Sequence, residues 1–526
     1  MKSVIKLCGA ISIIFAPLLL IFVGVYQPQP VAATTSGNIS LYLPLAICAD
    51  CPETTPAPSA TASATSVPAA TQTPIPATST ATIINDPPPT FTPRPPTLTP
   101  SNTPVAATPT ATNTPVAATS TATNTPVSPA TVTPSPTAVI SLLTEWMINT
   151  TGETSAYMRD SNGNPHLVNV QSVEQTSNNN YSFVQASGIP SYSHTMSQSD
   201  INALNNRPRA HGDFTTGSTT ASAGQTIGFG QDIGYISNES CTAGAGFGYW
   251  PPGPACPDNT NHQVSFPLNQ QASTSACETG LGTIGLWVNG TAMFNWGDGF
   301  SYNGEGVWTN LAPVAEQYDV DICGGHAAGV TYHHHSHPSC LGEQLNDTGT
   351  AHSPIYGFAA DGYPIYGPWE DNGTLAQSCW KTRDYDNANS ATGCGVAGER
   401  SCLLVDEYDI NRGTRPATAG PTTSDIVTTL SRNEIQATSG YYYEDYYYDS
   451  SCTSQGSAYL DQYNGHSDAQ RGYHYHVTVV QNTDGTLSAV FPYTIGPRFY
   501  GQLQDDAATT CEDSSGGGPP PNLNRP

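Results

Sequence analysis

The sequence predicts an all-β fold: one large β-rich domain, sandwich-like or barrel-like, with long disulfide-pinned loops, preceded by a disordered Pro/Thr-rich stalk. Three observations predict it. Short β-branched or aromatic runs recur, including Tyr181-Ser182-Phe183-Val184, Thr283-Ile284-Gly285-Leu286-Trp287-Val288 and Val477-Thr478-Val479-Val480. Clusters of Gly, Asn, Asp and Pro separate them, as turns between strands require. Long amphipathic helical periods are nearly absent, and the clearest helical candidate, Thr423 to Gln436 with its Thr and Ser caps, is short.

Cysteine usage predicts the disulfide-pinned loops. Lys2 and Lys6 precede an apolar stretch from Leu7 to Tyr26 and the small residues Val31-Ala32-Ala33, which reads as a signal peptide over residues 1–33. The stretch could also span a bilayer, so an uncleaved N-terminal anchor is the alternative; otherwise the mature chain has no transmembrane segment. Of the 13 cysteines, Cys8 falls in this leader, Cys48 and Cys51 lie in a short segment at 34–51, and ten run from Cys241 to Cys511. An even number in an exported chain favours disulfides, here up to five in the main domain. The expected location is secreted or attached to the cell surface.

Residues 52–138 are almost wholly Thr, Pro, Ala and Ser, with Asn-Thr-Pro-Val recurring at Asn102, Asn113 and Asn124. Such a segment has too little apolar surface to offset the entropy of ordering, so it reads as a disordered linker. The β-rich domain is placed at 139–511 and a disordered tail at 512–526.

Fifteen Lys and Arg stand against 41 Asp and Glu, a formal charge of −26, which argues against nucleic acid as a partner. No Gly-x-Ser-x-Gly elbow and no phosphate-binding Gly-rich loop occurs, which demotes serine hydrolases and nucleotide-binding proteins. Asn295-Trp296-Gly297-Asp298-Gly299 has the composition of a calcium loop without its ligand spacing.

The chemistry-bearing pattern is a pair of similar strings, Tyr332-His333-His334-His335 and Tyr473-His474-Tyr475-His476. On an extended strand alternate side chains share a face, so His333 pairs with His335 and His474 with His476. Two such strands brought together would offer four imidazoles to one ion. Nitrogen ligands without thiolates fit copper or zinc better than calcium or magnesium. His352 and His466 are spare ligands or outer partners. Asp361 is a candidate to complete the shell or orient a ligand, and Tyr363 and Tyr366 to hydrogen-bond a metal-bound group. His334, on the opposite face, is the weakest candidate.

With Thr331 to Leu341, His352 to Pro368, Leu460-Asp461, Asn464-Gly465, Gly472 to Thr478 and Phe491-Pro492-Tyr493, these strings resemble the YHYH domain family. The resemblance runs from about residue 220 to residue 501. It implies an exported bacterial protein and assigns no activity. The expectation is therefore a domain binding a transition metal through two His-x-His strands, open to a metal-dependent oxidoreductase or hydrolase role. The alternative is a non-catalytic surface module that binds glycan or a cell-surface component and uses its His/Tyr network for folding only.

Overall fold

The computed structural model describes residues 141–207, 214–216, 218–234, 236–237, 256–504, 507 and 509–511. The expected leader, stalk and tail lie outside them. The described part is β-rich, and its centre is an eight-stranded mixed sheet. We number those strands β1 (Thr283–Trp287), β2 (Ala292–Phe294), β3 (His326–Ala328), β4 (Thr331–His334), β5 (Ile355–Ala359), β6 (Pro364–Tyr366), β7 (Gly465–Asp468) and β8 (Gly472–His476).

Their spatial order is β3-β4-β2-β1-β5-β6-β8-β7. The order is unchanged when β1–β4 are exchanged with β5–β8, so the sheet is an internal repeat about a pseudo-twofold axis between β1 and β5. Each half has the same pairing senses: β2 with β4 and β6 with β8 are parallel, and the remaining neighbours are antiparallel. Across the axis Leu286 faces Phe358, while Gly285 faces Ala359 and Trp287 faces Gly357. Glycine is required here, because a Cβ on Gly357 would sit 2.6 Å from the Leu286 carbonyl oxygen, and one on Gly285 would meet that of Phe358.

Loop geometry repeats as well. The Asp321 carboxylate accepts from the backbone N–H of Cys323 and Gly325 and from the Tyr332 hydroxyl. The Asp461 carboxylate accepts from Tyr463, Gly465 and the Tyr473 hydroxyl in the same way. Each turn delivers a histidine, His326 or His466, to the outer strand.

A three-stranded sheet of Val170–Gln175, Tyr181–Ala186 and His262–Pro267 packs on the middle of the central sheet. Phe266 and Trp146 bring their rings to 6.3 and 5.1 Å of Phe358. The main core includes Val184, Leu286, Trp287, Phe358 and Tyr475, all buried. Disulfides join Cys277 to Cys511, Cys323 to Cys340, Cys379 to Cys452 and Cys394 to Cys402, and Cys256 is also disulfide-bonded. No helix among the described residues is long and apolar enough to cross a membrane.

The expected helix at Thr423 to Gln436 is instead a hairpin of Ile426–Thr428 and Glu434–Gln436. Its β-branched Ile426-Val427-Thr428 outweighs the capping signal, and Arg432 turns the chain with φ of +66°. The helix at Gln198–Asn206 escaped the sequence reading, although Ser197 and Asp200 form a capping box.

His194 joins that helix to Ser339–Gln344 by contacting Asp200 at 3.1 Å and Glu343 at 2.9 Å. Hydrogen bonds to these two carboxylates raise the imidazole to about 9. The folded value exceeds the unfolded one, so this contribution is complete below about pH 6.5 and is lost as pH rises through about 9. His194→Gln should therefore lower the melting temperature at pH 6 more than at pH 10, checked by thermal melts across that range.

Candidate metal centres

The four imidazoles expected to share one ion do not converge. β4 and β8 are separated by β2, β1, β5 and β6. Five inter-strand steps of about 4.8 Å put them about 24 Å apart along the sheet. Each His-x-His strand instead builds its own cluster. The register puts both on one face, because His333, Ala292, Leu286, Phe358 and Pro364 follow one another as cross-strand partners, and Tyr366, two residues on from Pro364, pairs with His476.

In the N-terminal cluster, His326, His333 and His335 have ligand atoms within 4.8 Å of one another. The His333 Nδ1–H donates to the Thr331 carbonyl at 3.0 Å and the His335 Nδ1–H to the Asn295 carbonyl at 2.5 Å. A carbonyl can only accept, so both Nδ1 atoms carry the proton and both Nε2 atoms carry a lone pair. Those lone pairs face each other at 3.0 Å. Glu316 Oε2 lies 3.3 Å from the Nε2 atoms of both His326 and His335. The outer edge of Glu316 meets solvent, but Oε2 is buried and has no hydrogen-bond partner.

The C-terminal cluster repeats this arrangement. The His474 Nδ1–H donates to the Gly472 carbonyl at 2.9 Å and the His476 Nδ1–H to the Gly367 carbonyl at 2.7 Å. His474 Nε2 lies 3.0 Å from His466 Nε2, whose Nδ1–H donates to the Ser457 carbonyl at 2.7 Å. Glu370 Oε2 is 3.2 Å from His466 Nε2, 3.5 Å from His476 Nε2 and 3.8 Å from His352 Nε2. The inward atoms of His352, His476 and Glu370 are buried without hydrogen-bond partners.

Burial lowers the imidazole pKa at His333, His335, His352, His466 and His476, and takes His474 to about 3. These rings are neutral at physiological pH, the form that binds metal. Neutral rings with lone pairs opposed at 3.0 Å repel one another unless a cation or a shared proton lies between them. With metal–ligand bonds of about 2.05 Å, the nearest ligand separations, 3.0–3.5 Å, correspond to angles of roughly 95–117°, so neighbouring donors in each cluster can share an ion. Fixing Nδ1 through a carbonyl is the usual outer support of a metal-bound imidazole.

Among the other candidates, Tyr366 packs against the second cluster, 4.9 Å from both His352 and His474. Phe294 takes the equivalent place at the first, stacked on His333 at 3.8 Å. Asp361 touches none of the clustered rings; it is buried and accepts from the Tyr475 hydroxyl at 2.6 Å and the Gly501 N–H at 2.8 Å. Tyr363 packs with Tyr473 and Tyr500. His334 points to the other face, against Tyr192, Trp287 and Tyr332. Sequence reasoning missed His326, Glu316 and Glu370. The signal for His326 was present, since Asp-x3-Gly-His precedes the Tyr-His-x-His string in both halves.

Residues 263–487 match the family model described as YHYH protein. The chain contains a YHYH domain. Both Tyr-His strings and both clusters fall within the matched residues. No curated protein and no solved structure matches the chain.

Proposed function

We propose that this YHYH domain binds two transition-metal ions outside the cytoplasm, one at each His-x-His strand. The observation that supports it is the duplicated geometry: imidazoles locked through Nδ1, Nε2 lone pairs opposed at 3.0 Å, and a buried carboxylate oxygen beside them in each half. Three or more neutral nitrogens with one carboxylate and no thiolate fit zinc or copper. The disulfides and the apolar leader sequence agree with export to an oxidising compartment. The expression for the test uses no His tag. Elemental analysis after reconstitution with zinc or copper and desalting should give two ions per chain. A folded protein that retains none would return the histidines to a purely structural hydrogen-bond network.

A further inference from the structure

The repeat allows the two halves to be compared position by position, and they differ where a ligand would enter. Cross-strand register makes His326 equivalent to His466 and Ala327-Ala328 equivalent to Ser467-Asp468. The residue just before β4 is Val330 and the one just before β8 is Arg471. Thus an apolar rim in the first half corresponds to a polar, charged rim in the second.

The second half also has a cleft of about 270 Å³, lined by Glu370, His466, Ser457, Tyr459, Ser467 and Asp468. Glu370 belongs to the C-terminal cluster and His466 Nε2 lies 3.0 Å from His474 Nε2, so the cleft is bordered by side chains of that centre. The His333, His335, His474 and His476 rings are all buried, but the side chain of His326 is 2 % exposed where that of its counterpart His466 is 12 % exposed.

Donor number differs too. In the N-terminal cluster the mutually close donors are three imidazoles, with Glu316 beside two of them, His326 and His335. In the C-terminal cluster the mutually close donors are His352, His474, His476 and Glu370, with His466 beside His474 and Glu370; His352 precedes β5 and has no imidazole counterpart in the first half. A divalent ion with Glu370 as its one carboxylate keeps a net positive charge, and Arg471 stands at the rim, paired with Asp468.

We infer that the two centres are functionally unequal: the C-terminal ion keeps an exchangeable position that takes water or a small anion from the cleft, while the N-terminal ion lies behind an apolar rim and serves the fold. This rests on the metal-binding reading above. The test loads the full chain with Co(II) and titrates it with azide, following the azide-to-cobalt charge-transfer absorption. One azide per two cobalt ions is expected, with the band absent in a His474→Ala, His476→Ala variant that still holds one cobalt. A second arm needs no variant: pyridine-2,6-dicarboxylate should extract one cobalt from the wild-type chain at least tenfold faster than the other.

Each outcome is decisive. Two bound cobalt ions with azide at both or at neither, or with equal extraction rates, would overturn the inequality and leave metal binding standing. No cobalt bound at all would overturn the metal reading and the inference together.

Discussion

Replacing His474 and His476 by Ala should leave a folded chain that holds one metal ion, and replacing His333 and His335 should do the same from the other side. Each pair supplies two opposed or adjacent inward nitrogens to its own cluster and none to the other. Losing a partner that merely orients a ligand costs about 10–100-fold in metal affinity, and losing two ligands should cost more than that. The two losses should be independent, because sites so far apart with no shared partner behave additively. Elemental analysis of both variants, with circular dichroism to verify folding, gives the answer. A single shared ion would instead disappear entirely in either variant.

The second large effect concerns the loops that flank the second half of the repeat. Arg400 and Asp445 are fully buried and paired, with Nε and Nη2 donating to the two carboxylate oxygens at 2.8 Å each. Arg400 also donates to the carbonyls of Pro421 and Thr438, and its guanidinium lies over the rings of Tyr385 and Tyr442. The Asp445 carboxylate further accepts from the backbone of Gly440 and Tyr442. Removing one partner of such a pair leaves an unpaired buried charge, and Arg400→Met should destabilise the domain by about 3–5 kcal/mol. Denaturant unfolding would measure it; a loss below about 1 kcal/mol would mean that Asp445 finds another partner or is solvated.

The β-rich class was legible because strand signals are local: Thr283 to Val288 and Tyr181 to Val184 carry the branched and aromatic residues that fit a pleated, half-buried surface. The shared face of each His pair was legible for the same reason, since alternation along a strand needs no tertiary information. Which strands become neighbours was not. The choice between one four-histidine site and two separate clusters depends on β1, β2, β5 and β6 lying between β4 and β8, a matter of long-range pairing. Glu316 and Glu370 were illegible because nothing local distinguishes a carboxylate aimed at an imidazole from one facing water. Asp361 shows the converse, a residue inside the most recognisable motif whose work is to hold Tyr475 and the backbone at Gly501.

The claim at the centre of this account is that the repeat creates two separate metal centres. Anomalous diffraction from crystals of the reconstituted protein, collected at the absorption edge of the loaded metal, tests it most directly. Two peaks are expected, one among His326, His333, His335 and Glu316, the other among His352, His466, His474, His476 and Glu370. Crystals with no anomalous peak in either cluster, or with the metal bound only elsewhere on the surface, would contradict it.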